Sequence, residues 1–355
     1  VSTLPLPIHG RGASSNPPNR FEPIDLEPEF DNLDPEDLTV APSTRFFRDT
    51  TRTIIAHNDS PDVGFEYSIN PYRGCEHGCI YCYARPTHEY LSLGSGLDFE
   101  TKIFVKLDAA QLLRKELSHK KWEPKTISIS GVTDCYQPAE RQFKITRHCL
   151  EVLQEFHNPA GVITKSHLIT RDIDLLSEMA KENLSAAFIS ITSLDPDVSA
   201  KMEPRAASPA RRLDALKKLS DAGVPCGVMV APIVPGLTDH EMPAILKAAK
   251  EAGARTCGYV PVRLPFAIKE MFETWLHQHY PDRASKVLNR IRELRGGKLN
   301  DSNFVSRMRG EGVWAEQLKT MFELAKRKVG LDGDFPEMAK DKFRRPGEQQ
   351  MSLFL

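Results

Sequence analysis

The chain runs to 355 residues and 39.9 kDa, is 40% hydrophobic and 27% charged, and carries a formal net charge of −1. That composition is globular, with apolar material for one large core or two modest ones, and a near-zero net charge makes no demand for nucleic acid while leaving room for a basic groove balanced by an acidic segment. No apolar stretch approaches membrane-spanning length, and seven cysteines, an odd number, with no apolar secretory leader argue against a disulfide scaffold and for a reduced, cytoplasmic protein.

Residues 1–45 are rich in proline, glycine and acids and show no sustained periodicity; Glu22, Asp25, Glu27, Glu29, Asp31, Asp34, Glu36 and Asp37 meet no base between positions 21 and 40. They read as an irregular acidic N-terminal arm that either wanders as a flexible tail or wraps the body. Residues 46–265 then alternate short β-rich runs with helical patterns. Strands are expected at 66–69, 126–130, 161–164, 187–192, 225–231 and 256–261, with helices at 142–156, 173–182, 211–222 and 241–252. Residues 102–106 also read as extended, as an added strand or a loop excursion before a helix at 109–117. Six β/α units are too few for a closed eight-stranded barrel. The expected fold class is α/β, a partial (β/α)6 TIM-like barrel with ligands beyond the carboxyl ends of its strands. Residues 266–334 form a helical C-terminal extension with Trp275, Leu288, Ile291, Leu294, Trp314, Leu318, Met321, Phe322 and Leu324 as its buried face, and the tail 335–355 returns to prolines and charges. No internal repeat is visible beyond the β/α alternation.

The run Cys75-Glu-His-Gly-Cys79-Ile-Tyr-Cys82 offers three thiolates where a four-iron cluster is normally given four. An iron left without a protein ligand can chelate a small molecule. A structural zinc site wants four ligands, usually as two close pairs, whereas Cys135, Cys149, Cys226 and Cys257 stand singly, so zinc is the weaker alternative.

The C-x3-C-x2-C spacing, with an aromatic residue before the last cysteine, resembles the signature of the radical S-adenosylmethionine superfamily. The resemblance implies a [4Fe-4S] cluster on Cys75, Cys79 and Cys82, with S-adenosylmethionine bound through its amino and carboxylate groups to the open iron. An external electron donor would reduce the cluster, and cleavage of the sulfonium would release a 5′-deoxyadenosyl radical able to take hydrogen from an unactivated carbon. Strand-end residues are the implied cofactor contacts. They are Ser130, Gly131, Thr133 and Asp134 after the second strand, Lys165 after the third, Ser190 on the fourth, and Arg205 in Met-Glu-Pro-Arg. A strand-to-helix turn capped by Asp134 is the alternative for the first group.

Within the superfamily, Cys79-Ile-Tyr-Cys-Tyr83, Gly131-Val-Thr-Asp134, Ile163-Thr-Lys165 and Ile189-Ser-Ile-Thr192 leading to Glu203-Pro-Arg205 are similar to the spore photoproduct lyase, or DNA repair photolyase-like, group. That resemblance implies DNA as substrate and lyase-like catalysis, with Tyr81 and Tyr83 matching tyrosines implicated in regenerating the cofactor. The hydrogen-donating cysteine of those lyases falls on Gly131 here; Cys135, a few residues on, is the candidate substitute, with a buried or incidental thiol as the stronger alternative. The same chemistry on RNA, a protein or a small metabolite stays open. So does a non-enzymatic iron–sulfur or zinc protein recruited to a DNA assembly. Gln350, Met351, Ser352, Leu353 and Phe354 resemble the peptide that docks bacterial repair proteins on the DNA sliding clamp; alternatively Leu353, Phe354 and Leu355 plug the barrel's lower end.

Overall fold

The computed structural model describes residues 5–21 and 43–346. The strands in chain order are β1 (Arg45–Arg48), β2 (Ile55–His57), β3 (Tyr67–Ile69), β4 (Tyr72–Arg73), β5 (Lys102–Val105), β6 (Ile127–Ile129), β7 (Ala160–Thr164), β8 (Ser185–Ser190), β9 (Cys226–Ile233) and β10 (Thr256–Pro261). Seven of them form one sheet in the order β10-β9-β8-β7-β6-β3-β2. From β3 to β10 every neighbouring pair is parallel, and only β2 runs antiparallel, on the β3 edge. The sheet is wound in one direction and is not closed: it is the expected partial barrel of six parallel strands.

Strands β6, β7 and β8 read Ile-Ser-Ile, Ala-Gly-Val-Ile-Thr and Ser-Ala-Ala-Phe-Ile-Ser and are buried on both faces, which is why they carry apolar residues without clean alternation. Helices Ala109–Leu117, Ile145–Glu155, Ile173–Ala180, Pro209–Asp221 and Met242–Glu251 cover the outer face. Each buries residues at helical spacing, as with Ala109, Leu113 and Leu117. The extended run at 102–106 is a true strand, β5, but it belongs to a separate sheet in the order β1-β5-β4. One expected helix is broken, because Lys144 takes a left-handed conformation between Glu140–Phe143 and Ile145–Glu155.

In the C-terminal extension the helices are Ile268–His279, Pro281–Leu294, Ser306–Arg309 and Gly312–Val329. Trp275, Leu288, Ile291, Leu294, Leu318 and Phe322 are buried as expected, but Leu324 is not: it is 57% exposed on the outer side of its helix. The first two long helices share a second core with Ile80, Tyr81, Met202, Val234, Leu264 and Ala13, so they pack against the cysteine loop itself. Beyond Leu331 the chain crosses the N-terminal ends of the strands. Ala339 N–H donates to Asn183 C=O (3.0 Å), Arg344 N–H to Phe156 C=O (2.9 Å), and the Arg345 guanidinium to Trp122 C=O (3.0 Å). The lower end is therefore covered by residues 331–345; the peptide at 350–354 lies outside the described residues. Among the described residues no helix is long and apolar enough to cross a membrane.

Candidate active site

The cysteine loop leaves the C-terminal end of β3 after a brief detour through β4 and a glycine, Gly74, at φ 79°. Its backbone is held from several directions. Cys75 N–H donates to Phe99 C=O (2.9 Å), Glu76 N–H to the Gln137 side-chain oxygen (2.9 Å), and Ile80 N–H to Met202 C=O (3.1 Å). The Arg85 guanidinium, fully buried, donates to the carbonyls of Gly78 (3.1 Å), Cys79 (2.9 Å) and Gly96 (2.9 Å) and pairs with the equally buried Glu100 carboxylate at 2.5 Å. Gly78 sits at φ 68°, a conformation that a side chain disfavours, and the loop turns there.

All three thiols are free, with Cys75 buried and Cys79 and Cys82 half-buried. Burial pushes each of them up, Cys79 to about 12 with help from Glu203, and the three thiols reinforce one another at Cys75. They hold their protons unless iron replaces them. Three cysteines on one braced loop are one short of the four ligands of a structural zinc site and suit a cluster with an open iron.

The other sequence candidates fall into two groups. Tyr83 and Lys165 face the loop's open side. Tyr83 is half-exposed and its hydroxyl donates to Gly131 C=O; the Lys165 ammonium lies 5.9 Å from the Tyr81 ring centre and, among the described residues, makes no ion pair. Gly131 stands at the end of β6, where the Asn70 side-chain oxygen accepts the N–H groups of Gly131 (3.0 Å) and Val132 (2.8 Å) and, more weakly, Thr133 (3.4 Å). Ser130 is bent to φ 77° and its hydroxyl oxygen accepts Cys135 N–H (2.9 Å).

The second group braces the site. Asp134 accepts the Thr164 hydroxyl (2.6 Å), Lys165 N–H (2.8 Å) and Tyr136 N–H (2.9 Å), and lies 3.4 Å from His77 of the cysteine loop. Burial pushes its carboxyl up, yet His77 and these donors outweigh burial and hold it well below the usual carboxylate range. Arg205 pairs with Glu76 at 3.0 Å, and the Thr133 hydroxyl donates to Tyr72 C=O (3.0 Å). Ser190 is buried and gives its carbonyl to Arg212 (3.1 Å). Tyr81 is buried too; its hydroxyl donates to Glu203, which also accepts the Thr192 hydroxyl and pairs with Arg212. Cys135 has the surroundings of a buried thiol, the alternative to a hydrogen donor. It is fully buried in the main core beside β6, and a donor thiol has to touch the substrate.

Residues that the sequence did not single out complete the arrangement. Asn70, Arg85, Glu100 and Arg212 have no spacing that marks them, and His77 and Glu203, though inside the cysteine and Glu-Pro-Arg motifs, have no role that those motifs assign. The N-terminal segment also takes part: Gly12 and Ala13 donate their N–H groups to Glu100 (3.2 and 2.9 Å), and Ala13 is buried against the second core. A Cβ on Gly12 would overlap the carbonyl oxygen of Gly78, so the strap lies backbone to backbone on the cysteine loop. The described part of the arm wraps the body.

A family model described as the Radical SAM superfamily matches residues 69–249, just over half of the chain. An uncharacterized protein of Mycobacterium tuberculosis (strain ATCC 25618 / H37Rv) is 34% identical over 65% of this chain and 67% of its own length. One of Methanocaldococcus jannaschii is 29% identical over 66% and 83%. Among solved structures, a spore photoproduct lyase mutant with bound AdoMet and dinucleoside spore photoproduct superposes with a TM-score of 0.57 at 19% identity, covering 80% of this chain and 78% of the lyase, which is a likeness of fold. The chain belongs to the radical SAM superfamily, whose cofactors are a [4Fe-4S] cluster and S-adenosylmethionine.

Proposed function

We propose that Cys75, Cys79 and Cys82 hold the cluster and that the enzyme takes hydrogen from a nucleic-acid substrate, DNA in the first instance, in a lyase-like reaction. The observation that carries this reading is the meeting of three unpaired thiols with Lys165 and the Gly131 turn at the carboxyl ends of β3, β6 and β7. When bound, the two cofactors supply hydrogen abstraction from an unactivated carbon, drawing one electron from an external donor.

The chain's residues do the rest. Lys165, a cation without an ion-pair partner among the described residues, takes the cofactor carboxylate, and the Gly131 segment, its N–H groups already occupied by Asn70, offers backbone carbonyls to the amino group. Asp134 and Arg205 act by bracing the cysteine loop against β6 and the segment after β8. Of the two tyrosines, Tyr83 can meet a substrate at the mouth, whereas Tyr81 is closed in by Glu203. Residue 131 is glycine and Cys135 is buried in the core, so neither position offers a thiol at the mouth. Support for DNA comes from the likeness to a lyase solved with a dinucleoside photoproduct. The clamp-like sequence at 350–354, which lies outside the described residues, is a second support.

The test is anaerobic turnover with ultraviolet-irradiated, thymine-rich DNA. We expect 5′-deoxyadenosine to form faster than without DNA and not at all in Cys79→Ala. A rate indifferent to DNA, irradiated or not, would turn the substrate reading down. Clamp docking is tested separately by alanine at Leu353 and Phe354, and unchanged affinity for the clamp would dismiss it.

A further inference from the structure

The open sheet has two edge strands, β10 and β2, that do not hydrogen-bond to each other. Asp62, in the loop between β2 and β3, reaches over to the segment beyond β10: its carboxylate accepts Val305 N–H at 2.5 Å and pairs with Arg307. Arg295 struts the same place, donating to the carbonyls of Val262 (2.8 Å), Ser306 (2.9 Å) and Arg307 (2.9 Å). Arg263, just past the carboxyl end of β10, is thereby held at the mouth with its guanidinium carbon 5.3 Å from the Tyr83 ring centre.

Arg263 is an anomaly in that setting. Among the described residues it has no carboxylate within ion-pair distance; its one hydrogen bond is a weak one to the Met308 sulfur (3.2 Å), and its buried Nε meets no acceptor. Burial and the neighbouring Arg307 push its guanidinium below the usual arginine value, outweighing the attraction of Tyr83 and of the more distant Asp62. A half-buried cation without a paired carboxylate costs stability, and the other deeply placed arginines of the site are better provided for: Arg85 and Arg212 pair with carboxylates and bond carbonyls, and Arg295, whose Nε also meets no acceptor, donates its two terminal nitrogens to carbonyls. Beside it stands the solvent-open ring of Tyr83 (49% exposed), and the neighbouring Arg307 carries a second exposed ring, Phe304 (54% exposed), 4.4 Å from its guanidinium carbon. A cation with no paired carboxylate, next to one accessible ring and one residue removed from a second, matches the two halves of a nucleotide: phosphate oxygens and a flat base.

We propose that Arg263 receives a phosphate of the substrate at the rim of the mouth, with Tyr83 and Phe304 flanking the attached base. The oxyanion site stands on the geometry of Arg263; that the oxyanion is a nucleotide's rests on the nucleic-acid reading above. The experiment uses the cluster-loaded protein, phenylglyoxal as arginine reagent and peptide mapping by mass spectrometry, with inorganic phosphate and a short thymidine oligonucleotide as probes. Arg263 should react faster than Arg85 and Arg212, phosphate should slow its modification several-fold, and the oligonucleotide should do so at far lower concentration. Protection by phosphate but not by the oligonucleotide keeps the site and rejects nucleic acid as its ligand. An Arg263 that does not react, or that neither probe protects, overturns the proposal. In a companion measurement, Arg263→Gln should weaken oligonucleotide binding by about 10-fold and make it less sensitive to salt, while Arg327→Gln on the outer helix should not. Equal effects of the two substitutions would refute a specific contact.

Discussion

Replacing Gly12 by alanine asks whether the N-terminal strap is part of the site's construction. The new methyl group would overlap the Gly78 carbonyl, which cannot yield because Arg85 holds it at 3.1 Å. The strap must lift, and with it go the N–H bonds of Gly12 and Ala13 to Glu100. Hydrogen bonds to a charged group contribute about 1.5–3 kcal/mol each, and the buried Ala13 methyl adds roughly 0.8 kcal/mol. Part of this, on the order of a few kcal/mol, is offset by the chain entropy recovered when the strap comes free. A net loss of about 3 kcal/mol raises the population of the lifted strap by roughly 100-fold. Native-state trypsin cleavage after Arg11 reads that population directly. Gly64→Ala is the control, since Gly64 has a negative φ and open space around its Cβ position. We expect cleavage after Arg11 to accelerate by about two orders of magnitude in Gly12→Ala, with faster alkylation of Cys79 in the cluster-free protein. Cleavage no faster than in Gly64→Ala would show that the strap does not depend on this contact.

Glu203→Gln strands the buried Arg212 guanidinium and should cost about 3–5 kcal/mol in urea unfolding, much of it regained in a Glu203→Leu/Arg212→Met double variant; an unchanged midpoint for the single variant would remove the pair from the account. Burial lowers His88 to about 4, from 6.5 in the unfolded chain, so the unfolded chain binds the extra proton between those values and stability falls as pH drops through that window. The loss between pH 7 and pH 5 should be about 2 kcal/mol larger in the native sequence than in His88→Leu, and parallel pH profiles would contradict the assignment. Lys165→Ala should weaken S-adenosylmethionine binding to the cluster-loaded enzyme by roughly 10-fold or more, read by equilibrium dialysis, without changing its iron content; undiminished affinity would move the carboxylate contact elsewhere.

The six parallel strands of the sheet were legible in the sequence, most plainly β6 to β9, which are largely buried. Strands β3 and β6 to β10 all fall within two residues of the expected runs because β-branched and small apolar residues crowd there between turn residues. Strands β1, β2 and β4 escaped notice for the opposite reason. Arg-Phe-Phe-Arg is exposed along its length, and the other two are three and two residues long, too short to establish a period. Leu324 shows the converse limit, since an apolar residue at helical spacing can still face outward. In the site, the cysteine loop announced itself because its ligands are close in sequence. Its supports did not: Arg85 meets Glu100 fifteen residues on, Glu203 meets Arg212 and Tyr81 across the barrel, and Gly12 meets Glu100 from the far end of the chain. A charged residue in a lone sequence reads as solvated surface, and only the fold reveals that these are buried and mutually neutralised. Cys135 is the reverse case, a thiol close in sequence to the right strand end but turned into the core.

The central claim is that Cys75, Cys79 and Cys82 carry a four-iron cluster with one iron free for S-adenosylmethionine. Anaerobically purified protein, analysed for iron and sulfide and by electron paramagnetic resonance after reduction, tests it most directly. We predict a reduced [4Fe-4S] signal that shifts when S-adenosylmethionine is added and disappears in the Cys75→Ala variant. A stoichiometric zinc ion in place of iron, or a cluster signal indifferent to S-adenosylmethionine, would contradict it.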